Sequence, residues 1–459
     1  MIVIIVGCAH YQARPIEPGG SLVDFEARRL DAAEIRGFLH DEVGIDQWPP
    51  TVWDLRSLTL AALFYSPEMD VARARWGVAE AGTVTAGARP NPSLDPSLGY
   101  NSTSKLITPW IPELILSLPV ETAGKRGFRV SRARELSEAA RLDVLHTAWM
   151  VRSGVRRAYV DLYRAGEMKV LLDRLHELQR RSLDMLEAQL ELGEISANEL
   201  TQARIATGRT RLATLQAAGD VARGWVRLAE VIGVPGEALD GLEISFAELE
   251  HLAAELPTDE ARRRAVTRRS DVLGSLAEYA ATQAALQLEI ARQYPDLDIG
   301  AGYQLDQTDS KWTLGINLVL PVFNRNAGPI AEAEASRTEA AAKFLALQAR
   351  VLAEVDGAVA SYRNALETVA VTDEMVAKLD QREASAEVAY ELGATSRLEL
   401  ASSEIETVTG RVARLDALVS AQRAAGDLEN ALQQTLEPQD WVLTTPPRAG
   451  SEVNADDED

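Results

Sequence analysis

The chain has 459 residues, 46% of them apolar and 5% aromatic, and its 47 basic and 69 acidic side chains give a formal charge of −22. This balance argues against a nucleic-acid binder, whose phosphate contacts need concentrated Lys and Arg, and fits either a soluble acidic protein or an acidic passage that admits cations. One cysteine and five scattered histidines (His10, His40, His146, His176 and His251) offer no intrachain disulfide and no metal-ligand spacing, so neither a metal centre nor a cofactor is expected.

No run of about 20 apolar residues is present, so no transmembrane helix is expected; barrel strands of about ten alternating residues remain open. Residues 1–8 are a short apolar run ending in the sole cysteine and read as a partial lipoprotein-type signal with Cys8 as the lipidated residue. The basic n-region and longer apolar core of a full signal are missing, and an ordinary apolar stub with a buried cysteine is the competing reading. Residues 9–50 read as an N-terminal tether or a wrap over another surface, with a short helical pattern over Leu22–Leu39 before the breaker-rich Asp46–Pro50.

Residues 51–250 form a first structural unit. A helical pattern runs from Trp53 to Ala88, with Ser66-Pro67 as a helix start or kink. Strands are expected at about 92–100 and 110–120, where Leu114, Leu116 and Leu118 alternate with Glu113, Ile115 and Ser117. From Lys125 no proline occurs before Pro235, which predicts a helix over 125–191, roughly 100 Å at about 1.5 Å per residue. Gly193 suits a left-handed helix end, and Ser196 with Glu199 has capping-box spacing for a returning helix to about Ile232. The segment 233–257 reads as a small extra element.

Residues 251–436 repeat this plan. A helix over 258–293 leads to strands at about 296–304 and 311–322. Trp312, Leu314, Ile316, Leu318 and Leu320 share one face of the latter; Thr313, Gly315, Asn317 and Val319 share the other. A second long helix over 329–392 ends in a turn in which Glu391, Leu392, Gly393, Ser396, Glu399 and Leu400 match Glu191, Leu192, Gly193, Ser196, Glu199 and Leu200 at an offset of 200, while Pro119 and Pro321 match at 202. Such agreement is evidence of internal duplication. The returning helix carries Ile405, Val408, Val412, Leu415 and Val419 at heptad spacing, and 437–459 reads as a disordered tail.

Asp296, Asp298, Thr313 and Asn317 fall on polar strand faces, where they would line a lumen if the strands close a barrel. The acidic pair has no neighbouring base, nucleophile or metal ligand, so no catalytic site and no enzyme activity is expected. Four strands cannot close alone, because open edges in hydrocarbon leave backbone groups unsatisfied.

The entry pattern Leu55, Leu58, Ala62 and Pro67, the junctions Leu118-Pro-Val120 and Leu320-Pro-Val-Phe323, the glycines Gly127 and Gly328, and the paired turns at Gly193 and Gly393 together resemble the outer membrane efflux protein family of TolC-like channels. The resemblance covers about residues 50–436, and Val322-Phe-Asn-Arg-Asn326 with Gly328 is similar to the lipoprotein members of heavy-metal efflux systems. It implies a mixed α/β membrane protein: a homotrimer with a twelve-stranded β-barrel, four strands per chain, continued into the periplasm by a long α-helical barrel. It further implies a periplasmic adaptor docked at the helix-turn tips (Gly193, Ile195, Ser196, Leu200, Leu392, Gly393, Ser396 and Leu398), an inner-membrane pump, the lipid bilayer as surroundings, and an entrance gate for which Glu399 and Glu404 are candidates. The expected function is a passive exit duct for heavy-metal cations or small toxic compounds; the alternative is a coiled-coil scaffold of the envelope.

Overall fold

Capping residues, glycines and prolines divide this chain, and in the computed structural model they mark most element boundaries; residues 11–40, 48–103, 107–254, 256 and 258–436 are described. Cys8 and the tail 437–459 lie outside the described residues. Two helices, α1 (Pro18–Glu26) and α2 (Ala33–Phe38), occupy the stretch where one helical pattern is expected. Helix α3 (Leu55–Tyr65) starts on Asp54, whose carboxylate accepts the Ser57 N–H at 2.8 Å while the Ser57 hydroxyl accepts the Asp54 N–H at 2.9 Å. Ser66 then leaves the helix in extended conformation and Pro67 opens α4 (Pro67–Gly87), where its missing N–H costs nothing.

Strands β1 (Ser93–Tyr100), β2 (Trp110–Val120), β3 (Leu297–Asp306) and β4 (Asp309–Leu318) form one antiparallel sheet in chain order. Pairing of β2 with β3, Leu118 opposite Ile299, fuses the two expected hairpins. The last strand differs from the expected 311–322. It starts two residues earlier, after a Gln307-Thr308 turn with Gln307 at φ 60°, and stops at Leu318 opposite Leu297, where β3 begins. Past that point β4 has no partner in its own chain, so Leu320 lies beyond the strand; β2, with β3 alongside, continues to Val120. Asp296 likewise sits one residue before β3.

The long helices are α5 (Lys125–Glu191), α6 (Ala197–Ile232), α9 (Ala327–Glu391) and α10 (Arg397–Leu432). The helix expected over 258–293 is two, α7 (Asp259–Arg268) and α8 (Ser270–Ala291), separated at Arg269. The described residues fall into two compact units.

One unit, drawn from 11–67, 151–254 and 361–427, has its core around the connection after α6. Two short 3-10 turns, Gly236–Leu239 and Ala247–Glu250, lie in it. The carbonyls of this irregular stretch are satisfied by side chains of the long helices: Tyr362 donates to Ala253 O at 2.7 Å, Gln422 to Leu249 O and His251 O at 2.7 and 2.9 Å, and the buried Tyr159 to Ser245 O. Residues 28–39 wrap this unit, with Leu30, Ile35 and Leu39 buried, Arg28 donating to Gly233 O at 2.6 Å and Trp48 Nε1 to Leu30 O at 2.6 Å.

The other unit, drawn from 68–150, 255–360 and 428–436, holds the sheet. Arg269, almost fully buried, breaks the α7–α8 helix and uses its guanidinium three ways: to Asp271 at 2.8 Å, to Glu354 at 3.0 Å and to the Ala431 carbonyl at 2.8 Å. Burial alone would raise the pKa of Asp271, but Arg269 outweighs it and holds the carboxyl below its ordinary value.

Replacing Arg269 with alanine strands these carboxylates around an emptied site, at an expected cost on the order of 3 kcal/mol, read as a lower denaturant midpoint of the purified protein in detergent. Because the folded pKa of Asp271 lies below an unfolded value of about 3.9, its contribution is present above that value and lost as pH falls through the folded one. Asp271→Asn therefore flattens the acid limb of the stability curve.

Candidate functional site

The register of the sheet sorts its residues by chemistry. Leu94, Pro96, Leu98 and Tyr100 of β1 stand opposite Leu116, Leu114, Pro112 and Trp110 of β2; the same face continues through Ile299, Ala301 and Tyr303 of β3 to Ile316, Leu314 and Trp312 of β4. The result is an uninterrupted apolar band across four strands, exposed throughout β1 and β4, with Leu314 at 80% exposure. An apolar patch of this extent is rare on soluble monomers and marks a surface that another protein or a membrane covers. Aromatic pairs close the band at the hairpin ends: Tyr100 with Trp110 at 5.0 Å and Tyr303 with Trp312 at 4.8 Å between ring centroids, the placement of an interfacial girdle.

The opposite face is mixed, with Ile111 and Ile115 of β2 set among small and polar residues. It presents Asp95, Glu113, Asp298, Thr313 and Asn317 among Gly300, Gly302 and Gly315. A side chain at Gly302 would meet the Thr313 hydroxyl and require the threonine side chain to turn away. Asp298 stands opposite both Pro119 and Asn317, and its Oδ1 is buried without a hydrogen-bond partner among the described residues. Asp296, expected on this face, is instead a strut at its foot: it accepts Lys125 Nζ at 2.7 Å and the Thr122 N–H at 2.9 Å, tying the start of β3 to the start of α5.

In the other unit, the ends of α5 and α9 close by the same local chemistry. Gly193 (φ 77°) and Gly393 (φ 71°) take the left-handed position. The Gly193 and Glu194 N–H groups donate to Leu190 O and Gln189 O, each at 2.9 Å; Gly393 and Ala394 donate to Tyr390 O and Ala389 O at 2.9 and 2.8 Å. Ser196 and Ser396 then cap α6 and α10, each accepting the N–H of the glutamate three residues on, Glu199 or Glu399, whose carboxylate accepts the serine N–H in return.

The expected tip residues separate here. Leu200 is buried at 5% exposure, and Ile195 and Leu398 are half-buried. The most exposed apolar side chains at the turns are Leu192 (75%) and Leu392 (79%). Leu192 was legible only through the repeat, as the counterpart of Leu392. Glu399 is consumed by its cap: hydrogen bonds from the Thr395 hydroxyl and the Ser396 N–H hold its carboxyl below the ordinary value. Glu404 pairs with Arg174 at 3.3 Å within the same chain. That pair belongs to a ladder on both sides of α10, with Arg164–Asp416 and Arg423–Asp161 toward α5 and Arg411–Asp380 and Arg414–Asp373 toward α9.

Among the described residues no group of three or more His, Cys, Asp or Glu side chains could hold a metal ion, and no helix is long and apolar enough to cross a membrane; the latter says nothing of a β-barrel.

Residues 59–234 match the family model described as outer membrane efflux protein. The chain is 23% identical over 325 residues to the cobalt-zinc-cadmium resistance protein CzcC of Cupriavidus metallidurans, covering 69% of this chain and 76% of that one. It is 27% identical over 327 residues to the pyoverdine export outer membrane protein OpmQ of Pseudomonas aeruginosa, covering 65% of each. The fold is shared with the outer membrane protein VceC of Vibrio cholerae at a TM-score of 0.68 and 20% identity, over 83% of this chain and 97% of that one.

Valine at position 393 must enter a backbone region that β-branched residues avoid, at a cost of about 1–2 kcal/mol. In Gly393→Val the amides of residues 393 and 394 are expected to exchange hydrogen on the order of tenfold faster, with exchange in the sheet unchanged.

Proposed function

We propose that this chain, a member of the outer membrane efflux protein family, is the passive outer-membrane exit duct of a tripartite efflux machine. The observation that carries this reading is the continuous apolar band on a sheet whose two outer edges are unpaired among the described residues. Three copies with four strands each close a twelve-stranded barrel with the band in lipid and the opposite face around a lumen, and the long helices continue it as a helical barrel into the periplasm. Transport energy comes from an inner-membrane pump, and the chain itself performs no chemistry. An envelope scaffold of coiled coils would have no use for the band.

The turns at Gly193 and Gly393 receive a periplasmic adaptor, with Leu192 and Leu392 as its apolar contacts and Ile195, Ser196, Ser396 and Leu398 framing them. Heavy-metal cations are the favoured cargo. Likeness to a cobalt-zinc-cadmium resistance protein supports this, and so do Asp95, Glu113 and Asp298 on the lumen face, which attract cations. Likeness to a pyoverdine exporter keeps small organic compounds within range.

Ile316→Asp puts a carboxylate on the lipid face, costing on the order of 2 kcal/mol or less; less protein should reach the outer membrane as a heat-dissociable oligomer, and unchanged insertion would sink the reading. Leu192→Asp with Leu392→Asp should leave that oligomer intact while abolishing crosslinking to the adaptor. A deletion strain challenged with cobalt, zinc, cadmium, copper, silver and common drugs should lose resistance to divalent metals first; sensitivity to drugs alone would reassign the cargo.

A further inference from the structure

On the reading that copies of this chain close a barrel together, we infer the register of the seam: β4 of one copy pairs antiparallel with β1 of the next, with Leu320 opposite Pro96. The internal duplication assigns it. Trp110 and Leu118-Pro119-Val120 recur as Trp312 and Leu320-Pro321-Val322, an offset of 202. Tyr100, opposite Trp110, recurs as Tyr303, opposite Trp312, an offset of 203. Within the chain β2 pairs with β3 as Leu118 opposite Ile299. Moving the first partner forward by 202 and the second back by 203 gives Leu320 and Pro96.

Hydrogen-bond direction agrees. The Asn101 N–H donates to Pro109 O at 2.8 Å, so odd-numbered residues near it on β1 turn their N–H toward β2, and even-numbered ones, Pro96 among them, toward the open edge. Even-numbered residues of both edge strands also carry the apolar face. The seam therefore continues the lipid-facing band without a flip of faces.

The proline selects among the registers that keep this parity. With no N–H, Pro96 leaves one carbonyl across the seam without a ladder donor, a loss of several kcal/mol in hydrocarbon unless that carbonyl has another partner. Leu320 O has one: it accepts the Val322 N–H at 2.9 Å in a tight turn around Pro321. A slip of two residues would set Pro96 against Leu318 instead, whose carbonyl faces the open edge of β4. The missing donor thus meets the carbonyl that does not need it.

Ser97 and Val319 are opposite one another in this register as a non-hydrogen-bonded pair, with Cα atoms about 4.5 Å apart, inside the disulfide range. In full-length protein in outer membranes, Ser97→Cys combined with Val319→Cys should on oxidation give dimer- and trimer-sized species on a non-reducing gel, absent from either single variant. Asn317→Cys with Gly99→Cys reports the same register and should behave alike. Asp95→Cys with Val319→Cys, displaced by two residues, should give on the order of fivefold less product. Preferential linking of the displaced pair overturns the register and leaves the duct standing. So does failure of both matched pairs while an amine-reactive crosslinker still reports an oligomer. Absence of any oligomer in either assay removes the register and the barrel together.

Discussion

An antiparallel sheet satisfies its backbone only where a neighbour lies alongside, and among the described residues this sheet has two long edges without one. In water the edges could be hydrated; against lipid they cannot, because each unpaired group costs several kcal/mol. The rest of the sheet is consistent with that demand. One face is leucine, isoleucine and aromatic, the other is glycine, hydroxyl and carboxylate with Ile111 and Ile115 among them, and β4 ends where its partner in the chain begins. The proline in β1 is confined to the side where it removes no bond within the chain.

Duplication lets one solution serve twice and also exposes where the halves diverge. Both hairpin turns use the same left-handed glycine, the same serine cap and the same reciprocal glutamate. The strand-to-helix linkers differ. After β2, Glu121 pairs with Arg129 and Thr122 bonds Pro295 O and Asp296, so the linker packs against its own chain. At the equivalent place after β4, Phe323 replaces Glu121 and stands fully exposed behind Val319, Leu320 and Val322. The inner linker is polar and paired within its own chain from its first residues; the outer one is exposed and apolar through Phe323 and is tied to its chain only further on, where Asn326 donates to Glu289 O at 2.7 Å.

Much of this was legible in the sequence because its signals are local. The limits of α6 follow from Ser196 and Gly233, those of β2 from strict alternation, and the tips from a six-residue pattern seen twice. Where the reading failed, long-range partners decided. Leu320 looks like a strand residue until the start of β3 is known. Leu200 looks available for docking until its burial is known. The break at Arg269 is set by Glu354 and Ala431, 85 and 162 residues away, and Asp296 became a strut through Lys125. Glu399, expected at the gate from its charge, also closes a helix cap.

The hairpin turns carry a consequence for biogenesis. Each is closed by contacts spanning no more than six residues, so α5–α6 and α9–α10 can nucleate on the microsecond scale of local structure. Joining β2 to β3 brings together residues about 180 apart and must wait for that larger loop to close. The helical hairpins and the hairpins β1–β2 and β3–β4 are all closed by local contacts, so the full width of the apolar band is assembled only when β2 meets β3.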